Sequence, residues 1–127
     1  MFGSDIIRVK ITGFLKNITE NNILCFDEKG IKKNNKISFV KDNIKYDIRY
    51  SDLEVFLLRN GSDFINSFSF NKSNGNSSYM IKDNNYTVDM NIKVNKFFVS
   101  DNIIDIDYVI CDTDCEFNYK LEMREYL

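Results

Sequence analysis

The sequence predicts an all-β protein, an antiparallel up-and-down meander of about eight to ten strands closed into a barrel. Two observations predict it. From Ile44 to Phe70 three runs of alternating apolar and polar residues follow one another, separated only by Ser-Asp and Asn-Gly. Period-two alternation marks a strand with one buried face. Downstream the same design repeats, and no useful window holds a helical period. At 127 residues the chain reads as one domain, large enough for a single core.

The elements follow in order. Residues 5–16 alternate with Ile7, Val9 and Ile11 on one face and Gly13 as a bend. A second strand begins over Ile23 to Phe26, and Gly30 and Asn34-Asn35 punctuate a short hairpin. A turn at Asp42-Asn43 sets Ile37 against Ile48 and Phe39 against Tyr46. A turn at Ser51-Asp52 would oppose Tyr50 to Leu53, Ile48 to Val55 and Tyr46 to Leu57. Asn60-Gly61 is the dipeptide that best tolerates the positive φ of a type I′ turn. Centred there, the next hairpin opposes Leu57 to Phe64, Leu53 to Phe68 and, on the other face, Phe56 to Ile65.

A second Asn-Gly at 74–75 would pair Phe70 with Tyr79, and a turn at Asp83-Asn84 pairs Ile81 with Tyr86 and Tyr79 with Val88. The long strand from Tyr86 loses its parity near Asn95-Lys96, which calls for a β-bulge before the turn at Asp101-Asn102. Finally Ile104, Ile106, Tyr108 and Ile110 oppose Met123, Leu121, Tyr119 and Phe117 across Thr113-Asp114.

Composition removes several chemistries. The chain has no His, so a Ser-His-Asp triad, a Cys-His pair and a His-based metal site cannot be built. Three cysteines cannot fill a four-thiolate zinc site, and parity puts Cys111 and Cys115 on opposite faces, so all three, with Cys25, read as free thiols. Asp112 to Glu116 begins like a calcium loop, but Phe117 and Met123 stand where that loop needs Gly and Glu. No catalytic residue, metal or cofactor is expected. Lys29, Lys32, Lys33, Lys36, Lys41 and Lys45 form the most basic stretch. A solvated loop and guarded edge strand explain it, and nucleic acid is the unfavoured partner, since neither aromatics nor arginines interleave. With no leader-like start and no apolar run near ~20 residues, a cytoplasmic protein with no membrane partner is expected.

Parity turns twelve aromatics inward, from Phe39 and Tyr46 to Phe117 and Tyr119, enough to fill a narrow barrel without a cavity of ~300 Å³. Arg59 shares that face, at one end, opposite Ser62. It reads either as a cap bonding loop carbonyls or as an anchor for a ligand carboxylate or phosphate. Outward parity gathers Phe56, Leu58 and Ile65 on one hairpin. Two covers suit such a patch: a second copy in a symmetric homodimer, or the N-terminal segment through Phe2 or Phe14.

The segment VFLLRNGSDFINSFSFNKSNGNSSYM joins a hydrophobic-Arg-x-Gly turn to a Phe-rich return strand and a Tyr on the next. It resembles a small bacterial family catalogued as domain of unknown function 1934. The resemblance runs from about Ile6 to Tyr126; Arg59, Gly61, Phe70 and Tyr79 match its pattern, whereas Asn84 and Ile92 stand near positions where the family has Gly and Thr. It implies a lipocalin-like, calycin-type barrel from the cytosol of low-GC Gram-positive bacteria, and it implies no activity, because the family has none assigned.

The expected function is that of a non-enzymatic, closed-barrel structural or interaction module. The alternative is a carrier of a small amphipathic or acidic ligand at the barrel mouth, with Arg59, Tyr46, Tyr50, Tyr79, Tyr108 and Tyr119 as its ligand residues. A nucleic-acid binder through the Lys29–Lys45 stretch is the second alternative.

Overall fold

A computed structural model describes residues 6–126. Ten strands run in chain order: β1 (Ile6–Asn17), β2 (Asn22–Lys33), β3 (Lys36–Lys41), β4 (Ile44–Tyr50), β5 (Glu54–Asn60), β6 (Phe64–Asn71), β7 (Asn74–Ile81), β8 (Tyr86–Val99), β9 (Ile103–Ile110) and β10 (Cys115–Glu125). Each pairs antiparallel with its sequence neighbours, and β1 closes the ring on β10. The expected meander barrel is thus what forms, and no described residue is helical. Among the described residues no helix is long and apolar enough to cross a membrane.

Alternation explains the core. Ile11, Ile37, Ile48, Val55, Ile104, Ile106 and Leu121 are fully buried on the inner face while their chain neighbours point out. Consecutive turns of a meander lie at opposite ends of the barrel. One end, the mouth, carries the connections around residues 18–21, 42–43, 61–63, 82–85 and 111–114; the other carries the remaining turns and both ends of the described chain.

Several registers are as expected. Asp42 and Asn43 take φ of 53° and 63°, and Ile37 faces Ile48. Ile81 faces Tyr86, Val99 faces Ile104, and β8 shifts register between Val94 and Lys96, where the bulge was expected. Gly13 has φ 151°, and a Cβ there would overlap the Lys120 carbonyl oxygen, so the bend in β1 needs its glycine.

Four hairpins turn elsewhere than expected, for local reasons. Ser51 Oγ accepts the amides of Leu53 and Glu54, which moves the loop onward and sets Tyr50 against Val55 and Ile48 against Leu57. Neither Asn60 nor Gly61 has positive φ. Instead the Gly61 amide donates to the Phe64 carbonyl at 3.0 Å, so Ser62 and Asp63 make the turn and Leu57 faces Phe68. Asn71 Oδ1 accepts the amides of Ser73 and Asn74, drawing the next turn back so that Phe70 faces Gly75. At the last hairpin a four-residue loop with Asp114 at φ 54° sets Tyr108 against Phe117 and Ile104 against Leu121. Every slip is by an even number, so each side chain keeps its face.

The outer patch changes accordingly. Phe56 faces Ser69, Leu58 faces Ser67 and Ile65 faces Asn60, so the expected Phe56–Ile65 pair does not form. Phe14 stands between Cys25 and Lys120, four strands from β5 at the nearest, and does not cover Phe56. Phe2 lies outside the described residues. Phe26, not expected in the core, is buried, whereas Tyr79 and Tyr86 are 37% and 59% exposed.

Candidate functional site

Arg59 stands near the mouth end of β5 with Leu57 below it. It belongs to one row of cross-strand partners on the inner face: Phe39, Tyr46, Arg59, Asn66, Tyr79 and Val88, each opposite the next. Cross-strand partners place their side chains about 5 Å apart, so the register alone brings these groups together. Arg59 donates through Nη1 to Asn66 Oδ1 at 3.0 Å. Its guanidinium lies 5.6 Å from the Tyr46 ring centroid and 5.4 Å from that of Phe64. Gly61 makes room for this arrangement, because a Cβ there would overlap the Phe64 ring.

Asn66 is the residue that the sequence reading missed. It is 4% exposed, and its Nδ2 donates to the Ser78 carbonyl at 3.0 Å and to Ser77 Oγ at 3.4 Å. All the donor and acceptor capacity used is neutral, so it positions Arg59 without cancelling its charge. No carboxylate is ion-paired to Arg59 among the described residues. The signal for Asn66 was a polar residue at inward parity within a run of phenylalanines.

The far wall comes from β9 and β10. Tyr108 packs against Phe70 at 5.0 Å and Phe117 at 5.1 Å; Tyr119 meets Phe26 edge-on at 6.2 Å. Burial pushes both phenols well above their ordinary pKa near 10, and the nearby Arg59 charge opposes the shift without reversing it. The Tyr119 hydroxyl is buried without a hydrogen-bond partner among the described residues. Between these walls is a cavity of about 100 Å³, whose lining includes Arg59, Tyr46, Tyr108, Tyr119, Phe26 and Leu24. Between β2 and β3, which pair only from Ile31 to Lys33, Lys41 closes the inner side with Glu28 at 3.9 Å and the Phe26 ring at 5.9 Å.

Four of the six expected ligand residues therefore converge: Arg59, Tyr46, Tyr108 and Tyr119. Tyr79 is at the rim, stacked on Phe64 at 5.4 Å. Tyr50 does not belong with them. It lies at the opposite end of the barrel, where its hydroxyl donates to the Asp101 carbonyl at 2.9 Å. The lysine stretch is dispersed rather than gathered: Lys32 reaches the Asp101 carbonyl, Lys41 the Glu28 side chain, and Lys29 the Tyr126 ring. Wider bays on the outer surface, one of about 550 Å³ beside Lys36, Arg49 and Tyr50, are open and contain no buried polar group without a partner.

Fold and site together define a class: a closed ten-stranded antiparallel barrel with a cation and buried phenols beneath its mouth. No family model matches the chain, and no curated protein does. Among solved structures it is similar to the ywiB protein from Bacillus subtilis, with a TM-score of 0.68 and 14% identity over 96% of this chain and 92% of that one. At that identity the likeness bears on the barrel alone.

Proposed function

We propose that this protein is a non-catalytic binding barrel whose mouth seats the anionic head of a small organic acid. One observation carries the reading. Arg59 is held on the inner face by a neutral partner, beside a buried Tyr119 hydroxyl that has none. A half-buried cation without countercharge favours an anion, and the guanidinium fork matches the two oxygens of a carboxylate. Buried phenols that stay protonated donate hydrogen bonds to the same oxygens. The cavity of about 100 Å³ suits a carboxylate with a few carbons and falls well below the ~300 Å³ of a typical enclosed ligand site. Membership of the domain of unknown function 1934 family is proposed alongside, supported by Arg59, Gly61, Phe70 and Tyr79.

The test is calorimetric titration of butyrate and hexanoate into wild type, Arg59→Met and Tyr119→Phe. Wild type binds, Arg59→Met binds at least tenfold more weakly, and Tyr119→Phe, which breaks no existing bond, binds more weakly with its melting temperature kept or raised. Equal binding by Arg59→Met and wild type overturns the seat. A second reading, an interaction module working through the outer face, is favoured by Phe56 and Leu58, 43% and 36% exposed two residues apart on β5. A homodimer through that face predicts that Phe56→Lys dissociates it in sedimentation; a monomeric wild type would rule it out.

A further inference from the structure

Building on the anion seat, we infer that its occupant is an amphipathic acid whose apolar tail lies outside the barrel, on the inner face of the β7–β8 hairpin. The cavity leaves no alternative course for a tail. It holds about 100 Å³, and beneath it Ile37, Ile48 and Leu57 are buried and packed. A ligand whose head meets Arg59 must leave through the mouth.

At one side of the mouth β8 outruns its neighbour β9. β8 begins at Tyr86 yet pairs with β9 only from Ile92, and the last bond on that side is from the Cys111 amide to the Asn91 carbonyl at 3.0 Å, so residues 86–90 rest on β7 and rise past the end of β9. On the inner face of this extension, Tyr79 opposes Val88 and Ile81 opposes Tyr86. All four are apolar or aromatic, and they are 37%, 40%, 38% and 59% exposed. Scattered exposed apolar residues mean little, but four adjacent ones facing a cavity mouth form a continuous strip. Contact with water alone would suit polar residues there, and the outward face of the same strand carries them, Thr87 and Asp89.

The strip is continuous with the seat, which identifies its occupant. Arg59, Asn66, Tyr79 and Val88 are successive partners in one row, and Phe64 lies over Arg59 while stacking on Tyr79. A cation at the inner end and an apolar strip beginning beside it match one kind of molecule, a carboxylate with a hydrocarbon or flat aromatic tail. Across the mouth, β2 is five strands from β7 either way round the ring, and it presents Leu24, 39% exposed, to the same opening.

Straight-chain acids from butyrate to dodecanoate, titrated below their micellar concentrations into the intact protein, test the placement. Beyond about six carbons, affinity should tighten roughly twofold per methylene, as expected of a tail with one face left in water. In the Tyr86→Ser/Val88→Asn variant that dependence on length should flatten. Two results overturn the inference while leaving the seat standing: short acids that bind through Arg59 but gain nothing with length, or a length dependence that the double variant does not alter. Failure of every acid to bind overturns the seat and the tail site together.

Discussion

Replacing Asn66 with Ala tests whether the polar row beneath the mouth is built as described. The substitution removes the acceptor of Arg59 at 3.0 Å and the donor to the Ser78 carbonyl at 3.0 Å, and leaves Ser77 Oγ with one partner fewer. A hydrogen bond to a charged group contributes about 1.5–3 kcal/mol and a neutral one about 0.5–1.5 kcal/mol. Arg59 is only half-buried and rehydrates in part, which keeps the expected loss near 2–3 kcal/mol. For a domain of 127 residues, an unfolding entropy near 2.1 cal/mol/K per residue makes each kcal/mol worth about 4 °C. The melting temperature should therefore fall by roughly 7–12 °C, read by circular dichroism and checked against urea unfolding. Ser67→Ala, on the outer face of the same strand, serves as control and should change little. A fall below about 2 °C for Asn66→Ala, within the scatter of ordinary surface substitutions, would refute the network.

Two further outcomes follow from the same structure. Tyr108 and Tyr119 have folded-state pKa values raised above the unfolded value near 10, so their contribution is complete below pH 10 and is lost as pH climbs toward the folded values. Stability should drop by about 1.4 kcal/mol per pH unit for each of the two above pH 10, and tyrosinate absorbance should stay short of its full value, for want of Tyr108 and Tyr119, until the barrel opens; full tyrosinate absorbance in the still-folded protein would contradict this. Gly13→Ala forces a side chain into φ 151° against the Lys120 carbonyl and should cost about 1–3 kcal/mol in urea unfolding; a change under about 0.5 kcal/mol would show that β1 relaxes freely.

Faces were legible in the sequence and registers only partly so, for a definite reason. Alternation determines which way each side chain points, and an even slip leaves it unchanged. Asn-Gly was read as the turn in two hairpins, yet neither Asn60-Gly61 nor Asn74-Gly75 turns the chain: a Gly61 to Phe64 backbone bond and the Asn71 side chain decide instead. Where the turn residues did hold, as at Asp42-Asn43 with both φ positive, the register followed. Tyr50 was misassigned although its position was readable. It adjoins one turn and Arg59 adjoins the next, and successive turns of a meander lie at opposite ends. Phe26 was missed because its partner on β1 is Gly13, which has no side chain to mark the face, and because β2 pairs with β3 at only three positions, none of them Phe26.

The row that holds Arg59 is hard to explain by stability alone. The row beneath it, Ile37, Ile48, Leu57 and Phe68, shows what these same four strands do when they only pack. One step up, the partners are Phe39, Tyr46, Arg59 and Asn66, and a guanidinium replaces an aliphatic side chain at a position where Leu or Met would bury more apolar surface without desolvating a charge. Buried polar groups of this kind are often no more stabilising than hydrophobic residues of similar volume. A structural cap would direct the guanidinium at turn carbonyls, yet the Gly61 carbonyl is taken by Lys82 at 2.7 Å, together with Asn60 Oδ1 at 2.9 Å. The turn beside Arg59 thus already has a cation serving it from the rim. That leaves Arg59 turned toward Tyr46, Asn66 and the cavity, the orientation that the proposed carboxylate seat requires.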